Sequence, residues 1–180
     1  MLPEDAALLH AWLEDPAFAA YRPYLRQLCP TPADLLQRKA MLDQITPPVE
    51  IELTVLHRPS ATPIGAMSLS GIDHFNRKAE FSFGFARGRA TRCVTEALHF
   101  ALDSAFASLA LNKLIFYVAE QNHAMLAGMK QYRFTPEGLL REELLLEGGY
   151  VNLLRFALFR ADWEQGMLRQ RLIKTSPLAP

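Results

Sequence analysis

Residues 79–119 read AEFSFGFARGRATRCVTEALHFALDSAFASLALNKLIFYVA and predict a strand, a long helix and a second strand. In the first strand, residues 79–86, phenylalanines alternate with smaller residues. In the helix, predicted over residues 91–109, the apolar side chains recur on one stripe. The second strand, residues 114–119, is almost continuously apolar, which is typical of a strand covered on both faces. A strand pair linked through a long helix predicts a mixed sheet.

The segment before this stretch predicts two helices and then further strands. The first helix, residues 3–20, opens with a proline and two acidic residues, and the second begins at Thr31-Pro32 and ends before the Pro47-Pro48 break. Three strands then follow in quick succession: residues 49–57, 64–72 and 79–86. Such a succession favours an antiparallel meander.

The segment after residue 119 completes a predicted order ααβββαβαββα. Its elements are a short helix (122–131), two strands joined as a hairpin across Glu147-Gly148-Gly149 (138–146 and 150–159) and a last helix (163–172). This order predicts an α+β domain with a mixed, mostly antiparallel sheet and helices on both faces. We expect one domain over residues 1–172 and a disordered tail over residues 173–180.

Composition and charge exclude several classes of function. The 180 residues carry 19 basic and 19 acidic side chains, so the net charge is zero and the broad basic face of a nucleic-acid-binding protein is not expected. The chain has neither a leader pattern nor a long uncharged apolar run, so we expect no membrane span and a cytoplasmic location. Its two cysteines predict neither a disulfide framework nor a metal site.

Five features from Pro63 onward stand in a distinctive order: PIGAMSLSGIDHFNRKAEFSFGF (63–85), TEALHFALDSAFASLALNKLIFYV (95–118), Asn122, FTPEG (134–138) and GGYVNLLRFALF (148–159) followed by Trp163. In this order and spacing the chain resembles the GNAT superfamily of N-acetyltransferases, and most closely its branch of ribosomal-protein N-terminal acetyltransferases. The resemblance implies transfer of an acetyl or other acyl group from acyl-CoA to an amine. Family members also carry a strand before the phrase PEDA, which here stands at residues 3–6, so we expect that strand to be absent.

The resemblance also implies where acetyl-CoA binds as co-substrate. Its pantetheine arm lies between two strands that splay apart, and the turn before the long helix offers backbone N–H groups to the pyrophosphate. In this turn Arg92 and Val94 replace residues that are small in the family. We expect three arginines to offset that loss by contact with phosphate, the alternative being a solvated loop. The residues predicted to bind acetyl-CoA are Phe83, Phe85, Arg87, Gly88, Arg89, Ala90, Thr91, Arg92, Cys93, Val94 and Asn122.

Glu80 is the candidate general base, because part of the superfamily uses a glutamate at this place in the strand. It is equally consistent with a cross-strand charge partner. For catalysis, we expect partial burial among the neighbouring phenylalanines to raise its pKa. Many relatives carry a helix tyrosine that protonates the leaving thiolate, but residues 127–129 contain none, and Tyr132 is expected to pack in the core.

Two alternatives to this enzyme remain open. One is a non-catalytic binding module with a degenerate CoA turn, and the other is an acyltransferase whose donor is an acyl carrier protein. The acceptor of the enzyme is a small-molecule amine or a protein N-terminus, and the first two helices and the hairpin at residues 142–150 are expected to line its side. We expect the strand at residues 49–57 either to be an exposed sheet edge or to be covered by a partner chain, as in a homodimer.

Overall fold

The computed structural model describes residues 3–19, 25–86, 91–146 and 148–175. Its strands are β1 (Ile51–His57), β2 (Thr62–Asp73), β3 (Lys78–Phe85), β4 (Lys113–Ala119), β5 (Thr135–Leu146) and β6 (Gly149–Phe159). Its helices are α1 (Pro3–Trp12), α2 (Pro16–Ala19), α3 (Leu25–Leu28), α4 (Pro32–Leu42), α5 (Thr91–Asp103), α6 (His123–Gln131), α7 (Arg160–Gln165) and α8 (Met167–Thr175). A π-helical turn, Ser104–Ser108, continues α5.

The six strands form one sheet in the order β1-β2-β3-β4-β6-β5. Every neighbouring pair is antiparallel except β3 and β4, which are parallel and are joined through α5. This topology confirms the predicted mixed, mostly antiparallel sheet and the β1-β2-β3 meander. Strand β1 lies at one edge of the sheet, and Pro3 begins a helix instead of a strand beside it.

Helices cover both faces of the sheet. Successive side chains of each strand point to opposite faces, so each strand can pack against helices on both sides. On β2, Ala66 packs with the cluster formed by α1 to α4, whereas its neighbour Met67 packs into the larger core under α5, α6 and α8. We call the side that carries Ala66 the front face and the opposite side the back face. Phe81 of β3 and Phe116 of β4 pack edge to face on the back face, with ring centroids 5.6 Å apart.

The first predicted helix, residues 3–20, is wrong as one element. Helix α1 ends at Trp12 and a separate short helix begins at Pro16, because a proline inside a helix removes a hydrogen bond and clashes with the preceding turn. Helix α3 was not predicted, and residues 20–24 lie outside the described chain. The second predicted helix is confirmed at its start, where Thr31 and Asp34 form a capping box.

The last predicted helix is divided at Gly166. This residue is extended between α7 and α8, and a Cβ atom there would collide with the backbone oxygen of Asp162, so the close approach favours glycine. Helix α8 runs to Thr175, three residues beyond the tail boundary predicted at residue 172. Residues 176–180 lie outside the described chain.

Asp103 joins α5 to the two last helices on the back face. Its Oδ1 accepts hydrogen bonds from Trp163 Nε1 (2.8 Å) and from Arg169 Nε (3.1 Å). His99 Nε2 lies 3.1 Å from Asp103 Oδ2, but at an angle that is poor for a hydrogen bond. Burial opposes the charge of Asp103, yet the hydrogen bonds from Arg169 and Trp163 and the charges of Arg169 and His99 outweigh it and lower its pKa.

We expect this junction to lose stability in acid. The folded-state pKa of Asp103 lies below the ordinary value of 3.8, so its stabilising contribution is complete above pH 3.8 and disappears as the pH falls through the lower folded value. Urea unfolding of the wild type and of Asp103→Asn, at neutral pH and stepwise below pH 3.8, measures this. The stability difference between the two proteins should shrink in acid, and a constant difference would contradict the assignment.

Candidate active site

The two central strands separate from each other along their length. Strands β3 and β4 are paired only where Lys78, Ala79 and Glu80 face Lys113, Leu114 and Ile115. Beyond Glu80, β3 stays paired with β2, and beyond Ile115, β4 stays paired with β6. A gap therefore opens in the middle of the sheet toward the C-terminal ends of both strands.

Backbone groups of β3 point into this gap. Ala86 N–H donates to Ile64 O of β2 at 2.9 Å, which fixes the direction of the peptide groups at the end of the strand. Because these directions alternate along a strand, the N–H groups of Phe83 and Phe85 point away from β2. They are therefore directed to the side from which β4 has diverged.

The opposite wall of the gap is built in the same way. Glu120 N–H donates to Asn152 O at the end of β6, at 3.1 Å. The same alternation directs the peptide groups of Tyr117 and Ala119 away from β6 and toward β3. Both walls of the gap thus carry main-chain donors and acceptors.

A cavity of about 190 Å³ adjoins the gap on the back face. Phe81, Phe83 and Phe116 of the two diverging strands form its floor, and α5, α6 and α8 form its walls. The atoms exposed to the cavity are apolar. Tyr132, which ends α6, is among the lining residues, and the Arg171 guanidinium lies 5.7 Å from the centroid of its ring.

Glu80 lies at the point where the gap opens, on the front face. It is paired with Ser70 on β2 and with Ile115 on β4. The side chain is exposed, whereas Phe81 beside it in sequence points to the back face. The expected burial of Glu80 among the phenylalanines is therefore wrong, because the alternation of the strand places acid and aromatic rings on opposite faces.

Tyr117 occupies the neighbouring position of β4 on the front face. It is 37% exposed, so the expectation that this strand is covered on both faces fails at this residue. Burial of the phenol raises the pKa of Tyr117, and the negative charges of Glu80 and Glu143 add to this effect, while Arg155 opposes it. Tyr117 therefore keeps its proton at neutral pH.

Charged residues of β4, β5 and β6 surround Tyr117. Glu137 accepts hydrogen bonds from Lys113 Nζ (2.8 Å) and Arg155 Nε (2.9 Å), and the Arg155 guanidinium lies 5.9 Å from the centroid of the Tyr117 ring. The interaction with Lys113, together with the charge of Arg155, lowers the pKa of Glu137. Sequence reasoning missed this group, and the only signal for it was a polar-tipped tyrosine within an otherwise apolar strand.

Asn122 caps α6, because its side-chain oxygen accepts a hydrogen bond from Met125 N–H at 3.1 Å. The expected capping is confirmed, and its contact with pantetheine stays a prediction. Ala127 is exposed, Gly128 lines the cavity and Met129 is buried, so this part of α6 carries no hydroxyl.

The predicted phosphate-binding turn is described only in part. Arg87, Gly88, Arg89 and Ala90 lie outside the described residues, and the backbone of Thr91 and Arg92 begins α5. Cys93 and Val94 are half-buried in its first turn, where no acidic residue stands. The start of α5 thus directs main-chain N–H groups and a partial positive charge to this end of the gap.

His74 and Asp73 make local structural contacts. His74 Nε2 lies 2.8 Å from Pro48 O, and Asp73 accepts hydrogen bonds from Asn76 within the β2–β3 turn. His123 is exposed in the first position of α6. In the part of the chain that the structure describes, no three His, Cys, Asp or Glu side chains are grouped to hold a metal ion. Nor do the described segments include a helix long and apolar enough to cross a bilayer.

Comparison with known proteins agrees with this architecture. Residues 1–135 match the family model of the acetyltransferase (GNAT) domain. The chain is 30% identical over 101 residues to a putative ribosomal N-acetyltransferase, YdaF, of Bacillus subtilis, covering 56% of this chain and 55% of the relative. It is 32% identical over 104 residues to spermidine N(1)-acetyltransferase of Escherichia coli, covering 55% and 54%. The chain thus spans about half the length of these curated relatives.

A solved structure extends the likeness to nearly the whole chain. Spermidine N-acetyltransferase from Vibrio cholerae in complex with CoA and spermine superimposes with a TM-score of 0.76 at 23% identity, covering 92% of this chain and 95% of that one. This likeness shows the fold. The match of the family model to residues 1–135 extends over most of the chain. The chain therefore belongs to the GNAT family of acetyltransferases.

Proposed function

We propose that this protein transfers an acetyl or other acyl group from acyl-CoA to a primary amine of a peptide or small molecule. The observation that carries the proposal is the gap between β3 and β4, into which the N–H groups of Phe83 and Phe85 are directed. A pantetheine arm carries two amides, and the main-chain groups on both walls of the gap are the partners that these amides need. When bound, acyl-CoA supplies the acyl group as an activated thioester.

The residues around the gap divide the reaction between them. Glu80, on the front face, takes the proton of the attacking amine directly or through one water. The N–H groups of Phe83 and Phe85 polarise the acyl carbonyl as donors already held in place. A C–N bond to the acyl carbon forms, the C–S bond breaks, and the electron pair of that bond leaves with the thiolate. Many family members carry a tyrosine on this helix, but Ala127, Gly128 and Met129 of α6 have no hydroxyl, so we assign no proton donor there.

The front face favours a cationic acceptor. Around Tyr117 the three carboxylates Glu80, Glu143 and Glu137 stand against two cations, Lys113 and Arg155, so that one negative charge is in excess. A negative surface raises the local concentration of protonated amines. Polyamines and protein N-termini are both protonated amines of this kind. Protein N-termini are the acceptors that the ribosomal-protein acetyltransferase branch would use.

Two assays test the proposal. A ligand that binds only the folded protein raises the melting temperature, so acyl-CoA should raise it and pantetheine should do so less. A free-thiol assay with a panel of polyamines and peptides then detects turnover. No shift with any CoA species would contradict the proposal and favour the non-catalytic module. An equal shift with pantetheine would favour a carrier-protein donor.

The arginines before and at the start of α5 are expected to hold the phosphates. A charge-assisted contact contributes about 1.5–3 kcal/mol, so each of Arg87→Ala, Arg89→Ala and Arg92→Ala should weaken CoA binding about tenfold or more. The loss of CoA affinity should be smaller at high salt, because salt already screens the arginine–phosphate interactions of the wild type. Calorimetric titration measures the CoA affinity of each variant. Arg26→Ala is the control, because Arg26 is an exposed side chain of α3 that pairs with Glu14. Unchanged affinity in all three variants would refute phosphate contact.

A cytoplasmic location and a homodimer also stay predictions. Edge strand β1 offers its outer backbone groups to a second chain, because the edge of a sheet invites pairing.

A further inference from the structure

The cavity behind the gap does not suit the polar part of a donor. The atoms exposed to it are apolar, so an amide or hydroxyl placed there would lose its hydrogen bonds to water and gain none. Water itself is held in protein cavities by two to four polar partners, which this surface does not offer. The cavity therefore fits an apolar group.

The position of the cavity indicates which apolar group enters it. Phe81 and Phe83 belong to β3 and Phe116 belongs to β4, so these rings form both the floor of the cavity and the back of the gap. The N–H groups expected to hold the acyl carbonyl are on the same stretch of β3. An alkyl chain attached to that carbonyl reaches the cavity without leaving the site.

We infer that this cavity takes the alkyl chain of the acyl donor, so that the protein prefers acyl groups longer than acetyl. The inference rests on the proposed function. The volume sets an upper limit: an apolar cavity of about 150 Å³ holds benzene, so the cavity here holds roughly six carbon atoms. Butyryl-CoA and hexanoyl-CoA are the donors of the right size.

Gly128 offers a way to close the cavity. It lies within α6 and lines the cavity, and a Cβ atom added to it would meet no other atom within 4 Å. A larger side chain at this position is therefore expected to extend into the empty space without displacing backbone. Ala127 precedes it on the same helix and is exposed, so Ala127→Leu adds similar bulk outside the cavity.

Calorimetric titration of CoA, acetyl-CoA, butyryl-CoA, hexanoyl-CoA and decanoyl-CoA tests the inference. Each buried methylene should tighten binding about fourfold, so butyryl-CoA should bind about 15-fold more tightly than acetyl-CoA, with a further gain for hexanoyl-CoA. Decanoyl-CoA exceeds the volume and should gain nothing more. In Gly128→Leu the ratio of hexanoyl-CoA to acetyl-CoA affinity should fall toward one, while Ala127→Leu should keep the wild-type ratio.

Equal affinities of the wild type for acetyl-CoA and hexanoyl-CoA would overturn the inference and leave the proposed function intact. An undiminished ratio in a folded Gly128→Leu protein would overturn it as well, because the chain would then lie elsewhere. If no CoA species binds, the proposed function fails and the inference fails with it. The melting temperature of each variant, with Gly128→Ala as the smallest change, shows whether it is folded.

Discussion

Replacing Glu80 by glutamine is expected to lower turnover by roughly 10²–10⁴-fold, which is the usual contribution of a positioned proton acceptor. Glutamine keeps the size of the side chain and cannot take a proton from the amine. Because Glu80 is exposed on the front face, the affinity for CoA and the melting temperature should change little. The turnover deficit should narrow as pH rises, because more of the amine is then deprotonated in solution.

Steady-state kinetics with a thiol-trapping reagent, at several pH values, measures this effect. Glu164→Gln is the matched control, since Glu164 is an exposed glutamate on α7, which packs on the back face. A Glu80→Gln enzyme with near wild-type kcat at neutral pH would show that Glu80 is only a charge partner within the sheet. A uniform deficit at every pH would also speak against a role in proton transfer.

The second large effect is expected at Trp163, on the back face. The ring is buried against Phe106, with centroids 6.2 Å apart, and its Nε1 donates to Asp103. Replacing a buried tryptophan by alanine costs about 3–5 kcal/mol of unfolding free energy, because it removes apolar contacts and leaves a cavity. For a chain of this size the melting temperature should fall on the order of 10 °C.

Trp163→Phe separates packing from hydrogen bonding at this position. Phenylalanine keeps an aromatic ring beside Phe106 but leaves Asp103 without the indole donor, which costs about 1–3 kcal/mol. Differential scanning calorimetry should place its melting temperature between those of the wild type and Trp163→Ala. A Trp163→Ala protein that melts with the wild type would show that α7 contributes nothing to the core.

Most of the fold could be predicted because its elements follow from local periodicity. The strands β1 to β3 alternate, α5 carries one apolar stripe and the hairpin has glycines at its turn, so each pattern indicates its element. The helices that were predicted wrongly have local causes other than periodicity. Pro16 divides the first predicted helix, and Gly166 divides the last because of a contact with Asp162 that only the folded chain makes.

The candidate site could be predicted only in outline. Glu80 could be singled out through the resemblance to the family, but the face on which it lies depends on the register of β3 with its neighbours. The group around Tyr117 depends on contacts among β4, β5 and β6, which are far apart in sequence. The arginine turn remains a prediction because residues 87–90 lie outside the described chain.

The short parallel pairing of β3 with β4 also has a mechanical consequence. Among the residues that the structure describes, three residue pairs form the strand-to-strand ladder between the β1-β2-β3 half of the sheet and the β4-β6-β5 half. An extended molecule that lies in the gap and is hydrogen-bonded to both walls would link the two halves of the sheet. Tension applied between the halves would then be shared with the occupant, and occupancy would stiffen the protein without the movement of any helix.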